Sequence, residues 1–240
     1  MNTRRHSNRG RTLHFGLVCA LVLSGLMTAS GQSRAAGGAF AVDDAGVDDP
    51  GSCKVEAWAS FARNDDFIGA VAPACVVSLG RPVDLGVQVD RSRSGGEWGT
   101  GLSLKAKSAI VPLTDDGPFG VAIVGGVGFD LTARETAEWF VTVPVTIRIA
   151  EPFLINLNIG GLWDRIEQRS FVTWGGGFEL SFAERFTLIG EVFGQGSEHP
   201  GAQLGLRYTP HEKIDFDLIY GRNLTGERAN WVTFGVNLRF

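Results

Sequence analysis

The sequence predicts an all-β fold, namely a transmembrane antiparallel up-and-down β-barrel of about twelve strands. Three observations predict it: an export signal at the N-terminus, apolar residues that recur at a spacing of two, and links between strands that alternate between long and short. A spacing of two places apolar side chains on one face of a strand and polar side chains on the other. Helical spacing fits none of these stretches.

The N-terminus has the pattern of a secretory signal peptide. Four arginines among the first eleven residues precede the uncharged stretch 12–33, and Ser33 and Ala35 offer a cleavage site of small residues. A transmembrane anchor or a buried helix is the alternative interpretation, but the basic start and the short apolar run favour export. Residues 1–35 are therefore predicted to be a signal peptide.

The composition of the remaining chain limits its partners. Removing residues 1–35 takes away five of the 22 basic residues and none of the 26 acidic ones, so the net charge becomes −9. A charge of this sign argues against nucleic acid as a partner. Two cysteines remain, Cys53 and Cys75, and an exported compartment would allow them to pair, although their spacing alone does not decide it. Residues 36–52 are predicted to be an acidic periplasmic segment and residues 53–240 the barrel.

The strands follow one another along residues 53–240. In the stretch 138–149, Trp139, Val141 and Val143 alternate with polar residues such as Thr142. Ten tilted residues cover about 23 Å along a membrane normal, which matches a bilayer core. The predicted strands lie near residues 53–61, 69–79, 83–92, 97–107, 119–130, 138–149, 153–163, 171–182, 186–194, 201–209, 214–222 and 231–240.

The links between these strands indicate the environment of the barrel. Long links such as GRNLTGERAN and GQGSEHP alternate with short ones such as PHEK, AER and AEP. Outer-membrane barrels have short turns in the periplasm and longer loops outside, and an even strand number places both termini on the side of the short turns. Aromatic residues are expected to form interfacial girdles at the two ends. They are Trp139, Trp163 and Trp231 at the loop end, and Phe153, Phe182, Phe186 and Phe240 at the turn end.

The chain ends on an alternating strand, WVTFGVNLRF, whose last residue is Phe240. A terminal strand needs a partner, and we expect it to pair with the first strand so that the barrel has no free edge. A last strand that ends in phenylalanine resembles the signal by which outer-membrane proteins are recognised for insertion. Phe240 is thus a candidate insertion signal, and the expected partners are the barrel assembly machinery and outer-membrane lipid.

Several longer stretches resemble one family of barrels. They are DDAG, PGSCKVEAW and PAC near the mature N-terminus, and NLNIGGLWDR, GEVFGQGSEHPGAQLGLRY and WVTFGVNLRF in the second half. These stretches are similar to outer-membrane barrels described as porins or transporters linked to the meta-pathway of phenol degradation. The resemblance spans most of the mature chain and implies a barrel fold and an outer-membrane location more firmly than a substrate.

Motifs for catalysis, metal or cofactor binding are weak. The glycines of VAIVGGVGFDL lack the third glycine of a dinucleotide site, and the aspartates of DDAGVDDP lack the spacing of a calcium loop. We interpret them as strand glycines and a solvated segment. The mature chain has two histidines. His199 has Ser197 and Glu198 as sequence neighbours in one loop, which does not make a triad, and His211 lies in a predicted periplasmic turn, on the wrong side for lipid A chemistry. No cofactor, metal or catalytic residue is predicted.

The polar face of the strands is expected to line the lumen with charges of both signs. The lumen candidates are Lys105, Arg148, Asn156, Asn158, Glu179, Glu191, Arg207, Asp215 and Asp217, together with Lys54, Glu56, Asp84, Gln88, Asp90, Lys107, Gln203 and Arg239. If acids and bases lie on separate walls, the barrel is a narrow channel or transporter for small solutes. If they pair across the lumen and fill it, it is a structural or interaction barrel without conductance. A lipid-modifying outer-membrane enzyme is a third hypothesis, and the sequence supports it least.

Overall fold

The computed structural model describes residues 39–114, 116–196, 200–226 and 229–240. The predicted signal peptide and His199 lie outside these ranges. Within them the chain forms twelve strands. They are β1 (Cys53–Ala62), β2 (Phe67–Ser78), β3 (Pro82–Ser94), β4 (Glu97–Val111), β5 (Phe119–Asp130), β6 (Glu135–Ala150), β7 (Phe153–Asp164), β8 (Arg169–Ala183), β9 (Phe186–Gln195), β10 (Gly201–His211), β11 (Ile214–Asn223) and β12 (Asn230–Arg239). Among the described residues, no helix is both long enough and apolar enough to cross a membrane.

The strands form one closed antiparallel barrel. Each strand pairs with its neighbours in sequence, and β12 pairs with β1 from Arg239 opposite Lys54 to Trp231 opposite Ala62. The predicted all-β antiparallel barrel of about twelve strands is confirmed. Closure gives every strand two hydrogen-bonded neighbours, which a wall in contact with lipid requires.

The barrel wall is apolar outside and polar inside. On β11, Phe216 and Leu218 are exposed on the outer face, whereas Asp215 and Asp217 are buried on the inner face. The same alternation on β3 exposes Val89 and buries Asp90. A soluble protein buries its apolar face, so this arrangement fits a barrel whose outer solvent is the bilayer.

One of the predicted girdle residues faces the lumen instead. Trp139 lies on the outer face with 58% of its surface exposed, as expected for the loop end. Trp231, however, pairs with Gly221 on the inner face, and its indole nitrogen donates to the Gln203 side-chain oxygen at 3.3 Å. A Cβ at residue 221 would lie 2.1 Å from the indole, so the glycine provides the space for it. The prediction of Trp231 as an interfacial residue is wrong.

The links are less uneven than the sequence indicates, because the strands extend into the predicted loops. At the loop end they comprise residues 63–66, 95–96, 131–134, 165–168, 196–200 and 224–229, and at the turn end residues 79–81, 112–118, 151–152, 184–185 and 212–213. Gly95 and Gly96 form the shortest loop-end link, and both have a positive φ, which a two-residue hairpin of this kind requires. Three of the turn-end links still contain only two residues.

Cys53 and Cys75 lie opposite each other in the register of β1 and β2 and form a disulfide bond. The bond lies at the turn end, at the point where the chain enters β1. Backbone hydrogen bonds from Gly51 to the Val76 carbonyl and from Val76 to the Ser52 carbonyl continue the pairing beyond it. The disulfide therefore ties the first residue of β1 to β2, at the point where the N-terminal segment ends and the barrel begins.

Candidate functional site in the barrel lumen

Residues 39–46 lie inside the barrel, and we call them the inserted segment. Ala45 is completely buried and Val42 is 7% exposed, although neither belongs to a strand. Because the chain enters β1 at the turn end, the segment enters the lumen from that end. The solvated segment expected from the sequence therefore needs correction for Asp43 and Ala45, whereas Asp44, Asp48 and Asp49 are exposed. The cause is that the lumen supplies partners for the segment's polar groups.

Side chains of the wall hold the backbone of the inserted segment. The Glu191 carboxylate accepts hydrogen bonds from the Ala41 and Val42 amides at 2.9 and 3.2 Å. Asn158 accepts from the Asp43 amide at 2.8 Å and donates to its carbonyl at 2.7 Å. Each buried amide paired in this way avoids the cost of an unsatisfied donor, roughly 1–3 kcal/mol.

A chain of polar side chains anchors the end of the segment nearest to β1. The Ala45 amide donates to the Thr146 hydroxyl at 2.8 Å, and this hydroxyl donates to the Asn156 side-chain oxygen at 2.7 Å. Asn156 in turn donates to the Glu179 carboxylate at 2.7 Å. The predicted lumen residues thus come together around the inserted segment. Asn158 and Glu191 bind it directly, and Thr146 links it to Asn156 and, through Asn156, to Glu179.

Small residues in the wall make room for the apolar side chains of the segment. Val42 Cγ2 lies 2.8 Å from the position that a Cβ would take at residue 175, which is glycine. The Phe40 ring lies 2.8 Å from the corresponding position at Gly205, and the Arg207 guanidinium lies 5.2 Å from the ring centroid. A side chain at either glycine would require the segment to shift.

Lysines of β4 bind the carboxylates of the segment. Lys107 Nζ lies 2.9 Å from Asp43 Oδ1 and 3.2 Å from Asp44 Oδ1, and Lys105 Nζ lies 3.6 Å from Asp43 Oδ2. Burial by itself raises the pKa of Asp43, but Lys105 and Lys107 outweigh it and lower that pKa to about 2. Asp43 is therefore ionised at every physiological pH, and its charge holds the segment against β4.

The other charges pair along the wall instead of across the lumen. Arg207 of β10 makes a two-pronged contact with Asp217 of the adjacent β11, at 2.8 and 3.1 Å. Arg239 of β12 pairs with Asp215 of β11. Lys54 of β1 lies 3.2 Å from Glu56 of the same strand and 3.9 Å from Asp84 of β3. Neither sequence hypothesis, separate walls or pairs across the lumen, describes this pattern.

Two predicted residues lie away from this group. Arg148 is near the turn end, where its guanidinium donates to the Thr114 carbonyl at 3.4 Å. His211 is the last residue of β10, at the turn end, where its ring accepts from the Lys213 amide at 3.3 Å. Among the described residues, no group of histidines, cysteines and carboxylates has the arrangement of a metal site. Together, the lumen residues form a polar interior that the backbone of the inserted segment crosses.

The chain belongs to the family described as Uncharacterised conserved protein UCP029691, which matches residues 24–240. No curated protein matches the chain at a significant level. The KdgM porin in complex with disordered oligogalacturonate is similar in structure, with 11% identity over 78% of this chain and 99% of its own, and a TM-score of 0.63.

Two further solved structures are similar. The COG4313 outer membrane channel from Pseudomonas putida F1 has 12% identity over 82% of this chain and 98% of its own, with a TM-score of 0.62. Outer membrane phospholipase A from Escherichia coli has 10% identity over 78% of this chain and 89% of its own, with a TM-score of 0.50. At these identities the likeness shows that the chain has the fold of outer-membrane barrels.

Proposed function

We propose that this member of the UCP029691 family is a narrow outer-membrane channel for small solutes, and that its inserted segment constricts the lumen. The observation that carries the proposal is the route of residues 39–46 across the inner wall. Contacts run from Lys105 and Lys107 on β4, through Glu191 on β9, to Gly235 on β12, where Ala39 Cβ lies 3.1 Å from a built Cβ. The wall's own ion pairs join neighbouring strands and do not cross the lumen, so the inserted segment is the described element that occupies its middle.

The outer membrane is the location that fits the exposed apolar outer wall and the predicted export signal. The two-residue turns support a periplasmic location for the turn end, where both ends of the barrel chain lie. The inserted segment then enters from the periplasmic side, and solutes from outside first meet the loop end. Phe240 lies at the periplasmic rim, as an insertion signal recognised by the assembly machinery requires. The disulfide between Cys53 and Cys75 is compatible with an oxidising periplasm.

A second candidate is a filled barrel that serves as a structural or interaction protein. The close packing of the inner wall favours it, since Thr146 is fully buried and Asp215 is only 1% exposed. The two candidates differ in one property. In a channel the inserted segment moves, and in a filled barrel it stays in place.

The resemblance to barrels linked to the meta-pathway of phenol degradation extends the proposal to the solute. It suggests that the solutes are small aromatic compounds that cells degrade. Liposome swelling would test this, by comparing the entry rates of phenol or benzoate with those of sugars of similar size.

Catalysis is not part of the proposal, because the described lumen contains no nucleophile beside a histidine.

The test is the single-channel conductance of refolded residues 36–240 in a planar bilayer, with a variant that locks the segment. Val42 and Gly175 are close enough for a designed disulfide, so the double variant Val42→Cys/Gly175→Cys would tie the segment to β8. The matched controls are the same double variant after reduction and the wild type with the same reductant, because a side chain at residue 175 would by itself shift the segment. Retarded or accelerated gel migration before boiling, compared with after boiling, verifies that each barrel is folded.

Each result separates the two candidates. Discrete steps in the wild type that disappear in the oxidised double variant, and return when its bond is reduced, support a channel gated by the segment. Equal steps in the wild type and the locked variant would show conduction past a fixed segment, which would reject both the filled barrel and the gating role of the segment. A folded barrel that is silent in all forms would reject the channel in favour of the filled barrel.

A further inference from the structure

Two arginines lie on the outer wall of the barrel at the loop end. Arg91 and Arg93 follow Val87 and Val89 on β3 at a spacing of two, and both valines are exposed on the outer face. Strand geometry therefore places both guanidinium groups on the face that meets lipid. The strand ends at Ser94, so the pair lies at the rim and not at the middle of the wall.

Aromatic side chains surround this pair. The Trp98 ring on β4 lies 5.1 Å from the Arg91 guanidinium carbon and 5.9 Å from that of Arg93. Phe67 flanks Arg93 from β2, and its ring centroid is 5.9 Å from that of Trp98. Phe61 continues the row, 5.2 Å from Phe67. We call Arg91, Arg93, Trp98, Phe67 and Phe61 the rim site.

Among the described residues, no carboxylate pairs with the charges of the rim site. Neither arginine makes an ion pair with a carboxylate in the described part of the chain. Arg91 donates to the Thr100 hydroxyl at 2.6 Å, and the buried Arg93 Nε has no acceptor among the described residues. Two positive charges thus lie side by side, held by aromatic faces instead of by acids.

The chemistry of this surface matches one component of its surroundings. Tryptophan and tyrosine rings of membrane proteins lie at the level of the lipid headgroups, and Trp98 is 46% exposed there. Guanidinium groups bind phosphate with two parallel hydrogen bonds, and such bonds strengthen where water is scarce. A phosphate with acyl chains beside it would satisfy both the arginines and the aromatic rings.

We propose that the rim site binds the phosphate of an outer-leaflet lipid, the lipid A of lipopolysaccharide. The proposal rests on the outer-membrane location and orientation given above, because the loop end must face the outer leaflet. It does not depend on whether the lumen conducts. Arg222 on β11 is a natural comparison, since it also lies on the exposed outer face near the loop end. Its register neighbours, however, are Ala202 and Asn230 instead of aromatic residues.

The experiment compares lipid binding to the refolded barrel in detergent by native mass spectrometry. The probes are bisphosphorylated lipid A and the same lipid after removal of both phosphates. The variants are Arg91→Gln/Arg93→Gln and the matched control Arg222→Gln, each verified as folded by its gel migration before and after boiling. We expect affinity for the bisphosphorylated lipid to fall about tenfold or more in the double variant and to stay unchanged in the control.

Other outcomes would overturn the proposal. Equal binding by the double variant and the wild type would reject the site, as would an equal loss in Arg222→Gln. Equal affinity of the wild type for both lipids would show that acyl chains, not phosphate, are recognised. If millimolar inorganic phosphate displaced the lipid completely, the site would be one for soluble phosphate. Cell fractionation tests the location independently, so its failure would be distinguishable from loss of lipid binding.

Discussion

Replacing Asp43 by asparagine should release the inserted segment from β4. The carboxylate of Asp43 contacts Lys107 at 2.9 Å and Lys105 at 3.6 Å, and asparagine keeps its size but removes its charge. The backbone bonds to Glu191 and Asn158 remain in the variant. The change therefore isolates the electrostatic part of docking.

The pKa of Asp43 gives the size of the expected effect. Its fall from 3.8 to about 2 on docking corresponds to about 2 kcal/mol, at about 1.36 kcal/mol per pKa unit. The ratio of docked to undocked segments should therefore fall by between one and two orders of magnitude in Asp43→Asn. Because the pKa is lowered on docking, this contribution is complete above pH 4 and is lost as the pH falls towards 2.

Single-channel recording measures the prediction through the fraction of time spent in the open level. We expect Asp43→Asn to be open more often at pH 7, and wild-type opening to rise between pH 4 and 2 by a component that the variant lacks. Asp48→Asn is the control, because Asp48 is an exposed acid of the same N-terminal region. Identical open fractions in Asp43→Asn, Asp48→Asn and the wild type would refute the idea that this charge holds the segment.

Three further changes test other parts of the wall. Reversing the charges at Arg148, Arg207, Asp215 and Asp217 should shift the reversal potential in a salt gradient, and an unchanged potential would mean that these residues do not line the path. Gly205→Ala should push Phe40 away and raise the open fraction, because the added methyl group would lie 2.8 Å from the ring, and an unaltered open fraction would contradict the docking of Phe40. Cys75→Ser should lower the free energy of unfolding by about 3 kcal/mol, since the bond closes a loop with a sequence separation of 22, and urea unfolding with and without reductant measures it.

The strands were predictable because each carries its own signal. Apolar residues at a spacing of two mark a strand whatever lies beside it, and all twelve predicted stretches coincide with a strand. Their ends differ most at β4, predicted to end at residue 107 and extending to Val111. Strand ends depend on hydrogen bonds to neighbouring strands, which a single stretch of sequence does not contain.

The inserted segment could not be predicted in the same way. Its sequence, AFAVDDAG, has no periodicity, and its aspartates indicate exposure to water when they are considered alone. Asp43 is nevertheless largely withdrawn from water, because Lys105 and Lys107 belong to a strand about sixty residues further along the chain. Asp44 stays about half exposed beside Lys107. One signal of burial was present in the sequence. Phe40, Ala41 and Val42 form an apolar group directly before the aspartates, and a segment exposed to water does not require such a group.

The pairing of charges explains why this segment, and not the wall, decides between a channel and a filled barrel. Arg207 with Asp217, and Arg239 with Asp215, join adjacent strands, so these pairs stiffen the wall without crossing the lumen. Lys107 differs, since its closest carboxylates belong to residues 43 and 44 of the inserted segment. The segment is the one described element inside the barrel that can leave without breaking a strand pairing. A lumen closed by side chains alone could open only if the barrel deformed. A lumen closed by the inserted segment can open when the hydrogen bonds and ion pairs of that segment are replaced by contacts with water.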